Sequence, residues 1–402
     1  VEAYEQLAAE GWLSPRRGAA TTVNHVAPTR RPTERPVAAD ERIVVDFRPG
    51  RPDIGLFPRE RWARATRTAL HSMASGDLAT SDALGFPALR RALAEYLARA
   101  RGVIADPDQI MVCEGFGQGF DLVVDVLVED GCNRFAVEDP GYAGTCRQLV
   151  AKGVAFDGIG LDHEGLVVER LRATDARVVV VTPAHQSPTG VVLGPDRRRQ
   201  LLRWAREIDG FVIEDDYDAE YRYDRRPVGA LQGIAPERVI YGGTTSKTFA
   251  SGLRLGWFVL PPRQVESIIA RRRRLGGSPS AVLQATFAAF LAAGDLDRHV
   301  RRTRRVYRQR RDAVIDAVAR WLPEVAPSGI AAGLNVLLPL PIGTDEQDVA
   351  RRALAAGVRV RPLADFRLRT AADAAPGLVL GYGSVTPGNA ELGIQRLAAV
   401  MT

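Results

Sequence analysis

The 402-residue sequence predicts an α/β fold, a mostly parallel sheet with helices on both faces, followed by a smaller C-terminal α/β domain. Three observations predict it. From Ile43 onward, amphipathic helical patterns alternate with short apolar runs. One run, "RVVVVTP" at 177–183, is continuously apolar, as in a parallel strand covered on both faces. After about residue 290, a long Arg-rich helical stretch gives way to shorter α/β segments, which marks a second domain.

The elements follow in chain order. "VEAYEQLAAEGWLSPRRGAATTVN" (1–24) reads as a helix carrying Tyr4, Leu7 and Ala8, a stop at Gly11, and two short strands joined by "SPRRGAA". Residues 25–42 contain Pro28, Pro32 and Pro36 without apolar periodicity and read as a linker. "ALRRALAEYLARARGV" (88–103) is an amphipathic helix and "QIMVC" (109–113) a strand. "EGFGQG" then reads as a loop leading into a helix through Val128. "RFAVEDP" (134–140) is a strand ending in a turn. "RRRQLLRWAREIDG" (197–210) is a helix with Leu201, Trp204, Ala205 and Ile208 on one face, stopped by Gly210. "FVIEDDYD" (211–218) and "RVIYGG" (238–243) are further strands. The large domain is assigned to 43–290 and the small one to 291–402. There are no internal repeats.

Composition narrows the class. A hydrophobic content of 46% with 25% charged residues is that of a globular chain. No apolar run reaches the length of a membrane span, so no membrane partner is expected. Cys113, Cys132 and Cys146 are odd in number and lack metal-ligand spacing. They point to buried small residues, no metal site, and a reducing, cytoplasmic setting. The Arg runs at 271–274 and 298–311, with Arg301, Arg304, Arg305 and Arg308 on one helical face, read as solvated faces, with contact to a nucleic-acid backbone as the rival reading.

The sharpest chemical signal is a lysine. Of 54 basic residues only Lys152 and Lys247 are not arginine. Where charge alone matters the two types interchange, but only lysine can present a deprotonated amine. Lys247 lies in "YGGTTSKTFASGLRLGWFVLP" (241–261), and an amine there can condense with an aldehyde. The cofactor that uses this chemistry is pyridoxal 5'-phosphate. Its remaining needs are also met. Asp215 ends a strand and can hold the pyridine nitrogen, with Tyr217 two residues on for the ring hydroxyl. Tyr142 can stack on the ring. Thr244, Ser246 and Arg254 suit the phosphate, together with the amides of Phe116 and Gly117 at a helix N-terminus. His185 is a candidate either for the site or for a hydrogen-bonded loop. A rival reading takes "EGFGQGF" with Glu138 or Asp139 as a nicotinamide-binding turn, but its G-x-G-x-G spacing departs from that fingerprint.

"FRPGRPDIGLFP", "DPGYAG", "TPAHQSPTG", "IEDDYDAEYRY" and "GTTSKTFASGLRLGWFVLP", in this order, resemble the MocR subfamily of GntR-type regulators, over nearly the whole chain. The resemblance implies a winged-helix DNA-binding domain fused to a fold-type-I aminotransferase domain. It implies a homodimer with the cofactor near the subunit interface, and the roles above for Lys247, Asp215, Tyr217, Tyr142 and Arg254. Residues 1–24 resemble only the last helix and wing of the winged-helix domain, so DNA binding is expected only through the full domain. The ligand implied is an amine, an amino acid or the cofactor itself. The sequence departs from aminotransferases at Val379, where these enzymes commonly place an arginine for the substrate α-carboxylate, and at Glu114 and Phe116 in the phosphate loop. Arg359, Arg361 and Arg367 are candidate replacements for the missing arginine. The expected function is therefore an effector domain that senses pyridoxal phosphate or an amine adduct through Lys247. A working aminotransferase is the alternative, and a nicotinamide enzyme a remote one.

Overall fold

A computed structural model describes residues 2–24, 43–79, 82–218, 220–223, 228–329, 332–368 and 375–401. The linker read at 25–42 lies outside the described residues. The chain divides into two compact units, Val1–Glu41 and Arg42–Thr402.

The first unit holds the helix Glu2–Ala9 and an antiparallel pair, Leu13–Ser14 against Thr22–Val23. Asn24 closes the pair, its amide reaching the Trp12 carbonyl at 2.9 Å and its side chain meeting Ser14 at 2.8 Å. Tyr4, Leu7, Trp12 and Val23 are exposed.

In the second unit an eight-stranded sheet runs in the order Ile110–Cys113, Gly256–Val259, Val239–Thr244, Phe211–Asp216, Val178–Val181, Arg134–Asp139, Ala155–Asp162, Gly165–Leu166. The five strands from Val239–Thr244 to Ala155–Asp162 are parallel, while Gly256–Val259 and Gly165–Leu166 run against their neighbours. Strand order reverses direction between Arg134–Asp139 and Val178–Val181. Such a reversal opens a crevice beyond the carboxyl ends of the strands. Strand alternation feeds both faces. Phe211 and Ile213 join one apolar cluster with Phe120 and Val124, and Val212 joins another with Leu201 and Trp204.

A second, antiparallel sheet orders Asn335–Pro339, Gly377–Gly381 and Arg361–Pro362. Its core also takes Val45 and Phe47, because Val45–Asp46 pairs in parallel with Val358–Arg359. The long helix Asp295–Trp321 runs from the large-sheet side to this core.

The structure corrects two expectations. "EGFGQG" is not a loop before a helix: the helix begins at Gly115 and runs to Glu129. The Arg runs are not simply solvated faces. Arg272 is buried and donates to the carbonyls of Ala83 (2.9 Å) and Val112 (2.6 Å). Arg304 clamps the Glu220 carbonyl through Nε (2.9 Å) and Nη2 (2.5 Å), and Arg308 reaches the Tyr223 carbonyl. Arg301 and Arg305 do face solvent. An interior carbonyl left open by an irregular loop is a strong acceptor, and a guanidinium on a passing helix satisfies it. As expected, Cys113 and Cys132 are buried, while Cys146 is partly buried. No described helix is long and apolar enough to cross a membrane. No cluster among the described residues could hold a metal ion.

Candidate cofactor site

Lys247 lies three residues beyond the Val239–Thr244 strand. Its Nζ donates to the Gly50 carbonyl at 2.8 Å. Gly50 has φ +74, and a Cβ there would lie 2.7 Å from Nζ, so this loop closes over the amine only as glycine. Lys152, the other lysine, is paired with Asp125 at 2.5 Å, whereas Lys247 has no ion pair among the described residues. Burial pulls the Lys247 amine below the ordinary lysine range, and Asp218 and Asp215 oppose that shift. A desolvated, unpaired amine is the form that attacks a carbonyl carbon.

Asp215 and Asp216 end the same strand and point to opposite faces. Asp216 Oδ2 accepts from Arg101 Nε at 2.6 Å and from the Tyr241 hydroxyl at 2.7 Å. Asp215 is 8% exposed, and its Oδ1 is fully buried with no hydrogen-bond partner among the described residues. Burial, with Asp216 adding to it and Lys247 opposing it, pushes the Asp215 carboxyl up to about 8. An orphaned buried carboxyl oxygen is costly unless a donor arrives. A protonated ring nitrogen is such a donor.

Tyr217 follows two residues later. Its hydroxyl lies 3.0 Å from His185 Nδ1, and the same nitrogen is 3.0 Å from Asp218 Oδ2. Burial holds the Tyr217 phenol well above the ordinary tyrosine value. His185 therefore meets the site through Tyr217. Tyr142, 52% exposed, precedes the helix Ala143–Ala151 and lines one recess together with Gly141, Thr145, Thr182 and Asp215. Its ring lies against Gly144, where it leaves no room for a Cβ.

Glu138 lines the same recess and was not recognised from sequence as part of this site. Its Oε2 accepts from the Thr182 hydroxyl (2.6 Å), the Thr182 amide (3.1 Å) and Gln186 Nε2 (3.2 Å). Burial pushes it up to about 7. Its signal in the sequence is an acid ending an apolar strand, "RFAVEDP".

The opposite end suits an anion. Phe116 and Gly117 occupy the first turn of the Gly115–Glu129 helix, whose leading N–H groups have no acceptor within the helix. Glu114 is exposed and makes no side-chain cap, so only the backbone is offered. The Phe116 ring packs inward, 5.1 Å from Phe258 between centroids. Arg254 Nη1 would lie 3.6 Å from a Cβ on Gly115, which sets its guanidinium beside that helix start. It is exposed and forms no ion pair among the described residues. The Thr244 hydroxyl donates to Ser246 Oγ at 2.9 Å. Amides at a helix start, with a guanidinium beside them that forms no ion pair among the described residues, suit an anion.

Val379 is fully buried, in register with Leu337 and Arg361. Arg361 pairs with Asp365 at 2.7 Å and Arg367 lies 3.7 Å from Glu346. Arg359 lies 3.9 Å from Asp46, which also holds Arg48 and, at 3.3 Å, Arg51. Arg48 and Arg51 flank the loop that covers Lys247.

The aminotransferase class I and II family pattern matches residues 43–375. The chain is 34% identical to the pyridoxine biosynthesis transcriptional regulator PdxR of Corynebacterium glutamicum, over 96% of this chain and 83% of that protein. It is 30% identical to the probable rhizopine catabolism regulatory protein MocR of Rhizobium meliloti, over 99% and 84%. Among solved structures, the kynurenine aminotransferase of Pyrococcus horikoshii is similar with a TM-score of 0.81 and 28% identity, covering 89% of this chain and 90% of that one. The nicotinamide reading is thereby overturned, because the chain matches the aminotransferase class I and II family over 43–375. An amine without an ion pair, a carboxyl without a donor and an open anion seat fit pyridoxal 5'-phosphate, the cofactor of this family. The chain belongs to the aminotransferase class I and II family, in the MocR-type branch of GntR-like transcriptional regulators.

Proposed function

We propose that residues 43–402 form the effector part of a regulator that binds pyridoxal 5'-phosphate at Lys247 and responds to the cofactor or to a small amine or amino acid that reacts with it. The observation that carries this is the Asp215 carboxyl, buried and orphaned on the face that also presents Lys247. In this reading Asp215 holds the ring nitrogen and Tyr217 the ring hydroxyl. Tyr142 covers the ring. Arg254, Thr244, Ser246 and the amides of Phe116 and Gly117 hold the phosphate. The bound cofactor supplies an aldehyde carbon and an electron sink. Lys247 would hold that carbon through its amine, and where the amine is free it would be a base beside it. The Gly50 loop shields the amine from water.

We further propose that 1–24 is the end of a winged-helix domain and 25–42 a linker. Residues 43–290 then form the cofactor domain and 291–402 the smaller one, with Val45–Asp46 crossing over to pair there. The protein acts as a cytoplasmic homodimer and contacts DNA through the complete winged-helix domain. A second reading, a working aminotransferase, is favoured by the unpaired, depressed Lys247 amine. The apolar, buried Val379 counts against it.

The test is the visible spectrum of the purified protein with added pyridoxal phosphate, followed by borohydride reduction and peptide mapping. Fixation of the cofactor on Lys247 is expected. No visible band and no fixation would sink the proposal. Conversion to the amine form of the cofactor on adding amino acids would favour the enzyme.

A further inference from the structure

We infer that His185, held by Asp218, is a positioning residue: its ring donates to the Tyr217 phenol oxygen, which leaves the phenol's own hydrogen to be given into the cofactor site. This rests on the reading of Lys247, Asp215 and Tyr217 above.

The argument is a count of hydrogens. His185 is 2% exposed, and its Nδ1 is 3.0 Å from both Tyr217 Oη and Asp218 Oδ2. The Asp218 carboxylate only accepts, so the hydrogen belongs on Nδ1 and is shared between two oxygens. His185 Nε2 is buried and has no partner among the described residues, so a hydrogen there would be an unpaired N–H. A nitrogen that carries a hydrogen cannot accept one from the phenol. Tyr217 must therefore donate elsewhere, toward the ring site or its neighbour Ser187. If the imidazole were the other tautomer, the phenol would spend its hydrogen on Nδ1 and offer the ring only lone pairs.

The ring is fixed in this pose by backbone from the far end of the chain. Gly333, at φ +75, lies so close that a Cβ would overlap His185 Cε1 and stand 2.5 Å from Nδ1 and 2.7 Å from Asp218 Oδ2. Gly333 is itself pinned. Its amide donates to the Tyr221 carbonyl (2.7 Å), and its carbonyl accepts from the hydroxyls of Tyr223 (2.7 Å) and Tyr382 (2.6 Å). On the other edge a Cβ at Gly190 would be 3.1 Å from His185 Nε2. Water is kept off the pair, and the smaller domain sets where the imidazole stands. The charged and titratable groups facing the pair are Tyr217, Asp215 and Lys247 on the site side. Tyr223 and Tyr382 stand behind Gly333, and Arg222 donates to the neighbouring Ala184 carbonyl at 2.9 Å.

The experiment is a pH titration of visible absorbance on the cofactor-loaded protein, with borohydride mapping of Lys247 run alongside. A phenol that donates to the ring oxygen stabilises negative charge there and lowers the pKa of the nitrogen joining Lys247 to the ring. Losing that donor moves the midpoint up. Tyr217→Phe is expected to raise it by about one pH unit, the size of one hydrogen bond to a charged group. His185→Leu is expected to raise it in the same direction by about half a unit or more, on the same basis. His185→Asn, which keeps an N–H at the Nδ1 position, is expected to hold the midpoint close to that of the unaltered protein. In the Tyr217→Phe background, His185→Leu adds nothing. The inference is overturned if His185→Leu leaves the midpoint where it was, or shifts it equally without the Tyr217 hydroxyl. If His185→Leu does not fold, His185→Asn with Asp218→Asn carries the test. Asp218→Asn must then shift the midpoint, and an unchanged value overturns the inference. No label on Lys247 in the unaltered protein overturns the cofactor reading itself, and this inference with it.

Discussion

The two faces of the sheet at the end of the Phe211–Asp216 strand make opposite use of buried acid. On one face Asp216 accepts from Arg101 and Tyr241, and Glu214 accepts the amides of Leu231 (3.0 Å) and Gln232 (3.1 Å). Each carboxylate there has protein donors. On the other face, among the described residues, the buried Asp215 Oδ1 has none, and nearby Lys247 holds a carbonyl. A protein interior rarely tolerates unpartnered charge, so full partnering marks framework and missing partners mark a place kept for a ligand. The contrast separates adjacent residues of the same type.

The contrast is most sharply broken at Lys247. Lys247→Ala should abolish the visible band and the borohydride-fixed label, while circular dichroism stays unchanged. A label that persisted on another residue would show that the open face is not the cofactor's.

The aspartates come next, and they should fail differently. Asp216→Asn leaves Arg101 buried beside a neutral partner and should cost about 3 kcal/mol or more in urea unfolding. Asp215→Asn should leave the cofactor-free protein as stable or more so, and weaken pyridoxal phosphate binding roughly tenfold or more. The pH dependence fixes the sign. The folded Asp215 carboxyl is raised to about 8 from an ordinary 3.8. Between those values the folded state keeps a proton that the unfolded state releases. Cofactor-free stability therefore falls as pH rises through this window. The urea midpoint of Asp215→Asn should fall less between pH 5 and pH 8 than that of the unaltered protein. Equal slopes would mean that Asp215 is ionised and partnered after all.

The partnered and open faces were not equally legible in sequence. The strands and the Lys247, Asp215 and Tyr217 set could be read, because a strand end, a turn and a reactive side chain lie within a few residues of one another. What could not be read depends on contacts across long stretches of chain. Gly50 meets Lys247 across 197 positions, and Gly333 packs on His185 from a segment whose sequence shows nothing but a turn. The helix N-terminus at Phe116 and Gly117 could be read, but not that the helix takes in all of "GFGQG", whose three glycines argue for a loop locally. Packing overrode that propensity. Arg304 read as a surface cation because its acceptor, a carbonyl in the Glu220 loop, leaves no trace in the pattern of side chains.

A smaller effect is expected at the ligand end. Val379 is apolar and buried, and the arginines nearest it in sequence are matched to Asp46, Asp365 and Glu346. A bidentate arginine pair would favour a carboxylate by about tenfold or more. An α-amino acid and its decarboxylated amine should therefore perturb the cofactor spectrum with apparent affinities within that factor. A larger preference for the acid would assign the role to Arg48, Arg51 or Arg359 around Asp46, and alanine substitution there would remove it.

The smallest effect tests the partnering rule away from the site. Arg304 and Arg305 are neighbours on the Asp295–Trp321 helix, and from sequence they are equivalent. Arg304 donates twice to the Glu220 carbonyl, in the loop that follows Tyr217, whereas Arg305 faces solvent. Two charge-assisted bonds to one carbonyl are worth about 1.5–3 kcal/mol, and an exposed arginine within about 0.5 kcal/mol of nothing. Arg304→Ala should lower the urea midpoint and Arg305→Ala should not. Because the clamped loop continues from Tyr217 and Asp218, Arg304→Ala should also broaden the pH titration of the bound cofactor. Equal and small effects at both positions would return the helix to the solvated face its sequence suggests, and the Glu220 loop would need another anchor.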